Sequence, residues 1–168
     1  MTPLPVGFVK DTAAACVAEL VAGRGRSIGS FLYVFIDTFI GGGLVIDSQL
    51  RGGLNGNAGA IGSLSLGLAK GTRAPEQLLS QASMITLEAA FEEAGLDAGA
   101  SLDDRALQTP WRPHTERWLR DASPSIAFAA HSAACLLDLD GVIIDGSFSR
   151  ELLAATILAV NRSLDRFD

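Results

Sequence analysis

The chain has 168 residues, 48% of them apolar, with 13 Lys and Arg against 19 Asp and Glu for a formal net charge of −6. That length supplies one core or two small lobes rather than several domains. The acidic balance argues against direct nucleic-acid binding, because phosphate contacts need clustered Lys and Arg, whereas Arg24, Arg26 and Arg51 are scattered and read as solvated loop charges.

No apolar run approaches the roughly eighteen residues of a membrane span, and the N-terminus lacks a charged-then-apolar signal region, so the chain reads as cytosolic. Residues 6–10 read as a short strand that delivers Asp11 at its end. A helix is expected over 12–22, where Ala14, Val17, Leu20 and Val21 recur at helical spacing and Gly23 and Gly25 supply the stop. Asp11 in that place suits an N-cap, satisfying orphan N–H groups and favoured by the helix dipole. Two β-type runs follow at 31–37 and 40–47. Gly41, Gly42 and Gly43 read as a turn in which glycine takes φ > 0 and presents bare N–H groups as an anion nest, or else as a glycine-eased bend of a plain hairpin. A second Gly/Asn-rich loop over 51–63 lets backbone approach a ligand closely. On it Asn55 and Asn57 are candidate hydroxyl ligands for a sugar, or turn residues in the αL conformation.

Further on, Pro75 opens a helix over 75–79, and Met84, Leu87, Phe91 and Ala94 mark the next, which Gly95 ends. The 96–112 region, with Asp103, Asp104 and Pro110, reads as a connection with a short helical piece. Helices are expected over 113–121 and, with Ser123 as cap and Pro124 at the first helical position, over 124–137. A strand at 142–145 and a helix at 149–163 complete the α/β pattern. Cys16 and Cys135 lack a C-x-C or C-x-x-C spacing, read as reduced core residues, and assemble no zinc site. His114 reads as a surface residue and His131 as a helix-packing one. No Ser/His/Asp or Cys/His arrangement is suggested by spacing.

The loop Arg51-Gly52-Gly53-Leu54-Asn55-Gly56-Asn57-Ala58-Gly59-Ala60-Ile61-Gly62-Ser63, together with the strands before it, resembles the signature of the ROK (repressor, open reading frame, kinase) family. There a strand, a T-G-x-G-x-G phosphate turn, a second strand ending in a D-G-type turn and R-G-x-x-G-x-A-G-E-x-G-H follow one another. Order and spacing match from about Pro5 to Ser63, and more loosely through the C-terminal third. The resemblance implies a ribonuclease-H-like (actin-like ATPase) lobe, a mixed sheet flanked by helices. It also implies that residues 1–168 are one C-terminal lobe, a fragment whose N-terminal lobe and any helix-turn-helix lie elsewhere.

Carried over residue by residue, the resemblance places Asp11 on the family's general base, with Lys10 replacing a sugar-binding Asn and Val9 a Glu. The phosphate turn becomes Thr38 with Gly41, Gly42 and Gly43, weakened by Asp37 and Phe39 where glycines are usual. Asn55, Asn57 and Gly59 fall in the ligand-binding loop. The family's sugar-binding Glu falls on Ala60, and its His, which touches sugar and ligates a structural zinc, falls on Ser63. Asp145 stands at a glycine of the late G-G-G motif. These departures imply the effector-sensing and dimerisation part of a NagC/XylR-type transcriptional regulator. It would bind a sugar or related metabolite as a homodimer and reach DNA only through a separate helix-turn-helix module. No membrane contact, cofactor or zinc is expected, and kinase activity is expected to be lost. The alternative is an ATP-dependent sugar kinase, glucokinase-like or acting on N-acetylated hexosamines, with ATP, magnesium and Asp11 as base. A third reading is a structural lobe that serves dimerisation alone.

Overall fold

Phe31–Ile36 form β1, the strand around which everything else is arranged. It pairs antiparallel with β2 (Gly41–Ile46), which pairs antiparallel with β3 (Gln49–Arg51), and it pairs parallel with β4 (Gly141–Gly146), giving the order β3-β2-β1-β4. The structure is a computed structural model and describes residue 4 and residues 9–69, 71, 72 and 74–167. The expected strand at 6–10 lies outside these except for Val9 and Lys10, which are irregular backbone.

β1 is an almost unbroken apolar run because both of its faces are covered. Phe31 and Tyr33 join Val45 and Cys16 under α1 (Asp11–Ala22). Leu32, Val34 and Ile36 enter the larger core. That core is completed by α2 (Leu78–Ala82), α3 (Met84–Glu93), α4 (Arg112–Leu137) and α5 (Arg150–Leu164), which contribute Leu78, Met84, Leu87, Phe91, Trp118, Ile126 and Leu152. The mixed sheet flanked by helices matches the expected layout. Among the described residues no helix is long and apolar enough to cross a membrane.

Several local expectations are corrected. The first helix begins at Asp11, so Asp11 is its first residue and not its cap; Lys10 holds the cap position and its side chain makes no capping bond to the helix. Gly41, Gly42 and Gly43 are not a turn. They are ladder residues of β2 opposite Phe35, Val34 and Tyr33, and none has a positive φ. β2 ends at Ile46, and a tight turn at Asp47 (φ 54°) and Ser48 (φ 59°) leads into the unexpected β3. Pro75 starts no helix, since Gln77 bridges to Ser65 and α2 begins only at Leu78.

The two helices expected over 113–137 are one helix of 26 residues with Pro124 inside it, and Ser123 caps nothing. The buried stripe of Trp118, Ala122, Ile126, Ala127 and Ala130 runs straight past the proline. Burial of that stripe outweighs the lost backbone N–H. The expected stop at Gly95 (φ 71°) is present, and the helix expected over 149–163 runs from Arg150 to Leu164, with Ser149 as its cap accepting from Leu152 N–H. The 96–112 connection holds two short 3₁₀ turns, Ala98–Leu102 and Asp104–Leu107. Asp97 and Asp103 cap these turns, and Arg105 joins both carboxylates at 2.8 Å. Those ion pairs hold both carboxyls below the usual carboxylate range.

Candidate functional site

Glycine brings three backbone segments within touching distance at one end of α1. A side chain on Gly41 would put its Cβ 2.7 Å from Thr12 Cγ2, and one on Gly43 would lie 2.7 Å from Cys16 Cβ, so α1 seats directly on β2. Gly59, at φ 76°, crosses β2 so closely that a Cβ there would lie 2.7 Å from Gly43 C and Leu44 N. The three strand glycines are therefore explained by close approach of backbone and helix and not by a left-handed turn. Between α1, β2 and the 51–63 loop opens a cleft of about 240 Å³, whose wall includes Lys10, Thr12, Gly42, Arg51, Ala60 and Ser63.

Asp11 is exposed and is not itself part of the cleft wall, although Lys10 and Thr12 on either side of it are, and its Oδ1 accepts from Thr12 N–H at 2.7 Å. Lys10 Nζ donates to Asn57 Oδ1 at 2.7 Å, so that acceptor is occupied by protein. Asn55 is exposed and outside the cleft wall. Neither asparagine takes the left-handed conformation proposed for them, because Gly53, Gly56 and Gly59 hold those positions. Ala60 and Ser63 both reach the cleft, supplying a methyl and a hydroxyl.

Thr38 is not in the cleft wall, although Phe39 and Ile40 beside it are; it belongs to a second cluster at the ends of β1 and β4. The turn that carries it is anchored to the start of α3: Met84 N–H donates to Asp37 O (2.9 Å), Ile85 N–H to Thr38 O (3.3 Å), and Ile40 N–H to Ser83 Oγ (3.0 Å). Asp37 Oδ1 accepts from Thr38 N–H and from Ser147 Oγ–H, both at 2.7 Å. Asp145 accepts from Tyr33 Oη–H (3.4 Å) and Gly146 N–H (2.9 Å), with Arg150 at 3.6 Å. Both carboxylates that replace glycines thus have protein donors. Spacing could not reveal Ser147, Tyr33 or Arg150, since only the parallel register of β1 on β4 brings them there.

Tyr33 resists ionisation, first because it is buried and then because Asp145 faces it. Burial, reinforced by Glu19, pushes the Cys16 thiol up to about 11. Cys16 is the core residue expected, but Cys135 is exposed on α4, and its Sγ lies 3.4 Å from His131 Nε2, a pairing that sequence spacing had not suggested. His131 in turn stacks on Phe167, and His114 meets Phe91 edge-on. Among the described residues no three His, Cys, Asp or Glu side chains gather to hold a metal ion.

The order of strands, the glycine loop laid on β2 and the helical layers agree with known proteins. Residues 1–157 match the ROK family. The chain belongs to the ROK family. An N-acetylmannosamine kinase of Vibrio cholerae is 26% identical over 151 residues, covering 87% of this chain and 51% of that one. The crystal structure of a ROK hexokinase from Thermus thermophilus superposes with a TM-score of 0.72 at 26% identity, over 96% of this chain and 58% of the other. A ROK transcriptional regulator, a homolog of the E. coli Mlc protein, superposes with a TM-score of 0.73 at 18% identity, over 98% and 45% of the two chains, a likeness of fold. The chain spans about half the length of the V. cholerae kinase. Its fold is that of the ROK and actin-like ATPase proteins, the ribonuclease-H-like lobe expected from sequence.

Proposed function

We propose that this ROK-family chain is the effector-sensing and dimerisation part of a transcriptional regulator that no longer transfers phosphate. One observation carries the reading. Where the family resemblance puts a sugar-binding Glu, a His and an Asn, the cleft presents Ala60, Ser63 and a Lys10 already bonded to Asn57. A methyl cannot orient a hydroxyl, and without such partners Asp11 lacks what a general base needs to position its substrate. The Thr38 turn supports the same reading, because its Thr38 and Ile40 N–H groups already donate to Asp37 Oδ1 and Ser83 Oγ and the Phe39 ring stands 59% exposed where a glycine would let phosphate approach. In this account the ligand is a sugar or related metabolite, bound near Asn57, Gly59 and Ser63. No cofactor or zinc takes part. The regulator acts in the cytoplasm as a homodimer and meets DNA through a separate helix-turn-helix module.

A second reading, an ATP-dependent sugar kinase, has its own support in Asp11, flanked by the cleft residues Lys10 and Thr12, and in the likeness to N-acetylmannosamine kinase. Thermal unfolding against hexoses, amino sugars, polyols and magnesium nucleotide, paired with an assay of ADP release, separates the two. A sensor is stabilised by a sugar and not by nucleotide, through mass action on the folded state. Sugar-dependent ADP release that Asp11→Asn abolishes would establish the kinase instead.

A further inference from the structure

Away from the cleft and sharing none of its residues, α4 and α5 pack side by side and leave a groove of about 710 Å³ between them. Arg112, Arg120, Arg162 and Arg166 stand along it against one carboxylate, Glu116, in a chain whose net charge is −6. Arg112 is engaged by that carboxylate at 2.7 Å, whereas among the described residues Arg120, Arg162 and Arg166 form no ion pair. Concentrating unpaired guanidinium groups in this way repels them from one another and gains nothing for the fold. The floor between them is apolar. Leu158 is 52% exposed there, alongside Leu119, Pro124 and Ala155. Ser123 lies in the wall, buried, with no hydrogen-bond partner for its hydroxyl.

We infer that this groove docks an acidic amphipathic helix of a protein partner. Arg112 and Arg120 are two turns and more apart, about 12 Å along α4, too far for one phosphate group to join them. On the facing wall Arg162 lies in the last turn of α5 and Arg166 in the turn that follows the helix. A small polyanion would satisfy the arginines and leave the leucine floor in water. A helix with an apolar stripe between flanking carboxylates meets both, with the guanidinium groups of Arg120, Arg162 and Arg166 open to carboxylates through paired N–H bonds.

The test is fluorescence anisotropy of a labelled helical peptide with Leu along one stripe and Glu beside it, titrated with the intact chain. Saturable binding is expected, weakened about tenfold or more by Arg120→Glu with Arg162→Glu, by Leu158→Asp, by Gln in place of the peptide's Glu, and by raised salt. The substituted positions are exposed, and circular dichroism checks that the variants remain folded. Absence of saturable binding overturns the inference. So does equal binding of the Gln peptide, or of an Ala-for-Leu peptide, or displacement by tripolyphosphate at equal affinity, which would mark a simple anion site. Self-association of the chain that the double arginine variant abolishes would overturn it in favour of a second copy in the groove.

Discussion

Lys10 Nζ donates to Asn57 Oδ1 at 2.7 Å across 47 residues of sequence, tying the residue that caps α1 to the glycine loop above the cleft. The bond is exposed, so its contribution to stability is small, about 1 kcal/mol or less. Its larger effect is local, since the loop over 51–60 has no strand partner beyond Arg51. Lys10→Ala and Asn57→Ala are each expected to quicken amide exchange over 53–58 with little change in global unfolding. The double variant should be no worse than either single one, because both remove the same bond. Additive losses, with exchange unchanged, would show that the two side chains act independently.

Gly56 and Gly59 offer a matched comparison on that loop. Both have positive φ, 68° and 76°, but a Cβ at Gly56 meets nothing within 4 Å whereas one at Gly59 would stand 2.7 Å from β2 backbone. Gly56→Ala should cost only the left-handed conformation, about 1 kcal/mol. Gly59→Ala adds a clash with atoms that cannot move without shifting β2, so its cost should exceed that of Gly56→Ala by about 1–3 kcal/mol. Urea unfolding of both variants reads the difference, and equal costs would mean that the loop lifts freely off the strand.

How much of this could be read from the chain follows from which residues are decided locally. β1, β4 and α5 were legible because their apolar residues carry their own signal. Gly41, Gly42 and Gly43 were not, since the same triplet suits a phosphate turn and a strand pressed by a helix, and only Thr12, Cys16 and Gly59 decide between them. Pro124 misled in the opposite direction, being a helix breaker by local rule that the buried face of α4 overrides. β3 has three residues and little burial, which leaves no periodicity to detect. The glycine loop that walls the cleft was picked out by motif. The Asp37–Ser147 bond, spanning 110 residues, exists only through the β1–β4 register.

Ser123 illustrates a polar group the fold would do better without. It is 2% exposed, and its Oγ has no partner. Leaving such a hydroxyl unsatisfied costs about 1–3 kcal/mol, while alanine is also the better helix former. Ser123→Ala is therefore expected to raise the urea midpoint, with a gain of about 1 kcal/mol. A loss of stability of that size would mean that the hydroxyl is satisfied in solution by a group from α5 or by water.

The alkaline limit of stability follows from Cys16 and Tyr33, both held in their neutral form by burial. For each the folded pKa lies above the unfolded one, so the unfolded chain releases its proton first as pH rises. Their contribution is complete below the ordinary thiol value of 9.0 and is lost progressively as pH climbs through about 11 for Cys16, with Tyr33 adding to the loss above its ordinary 10.0. Cys16→Ala should flatten the first part of that decline and leave the second. Because the chain contains a single tyrosine, its absorbance titration reports Tyr33 alone. Ionisation of Tyr33 should coincide with loss of the far-ultraviolet circular dichroism signal, well above pH 10.0. A free titration near that value in a chain that keeps its helices would show that the Tyr33 hydroxyl is open to water and that Asp145 is not its partner.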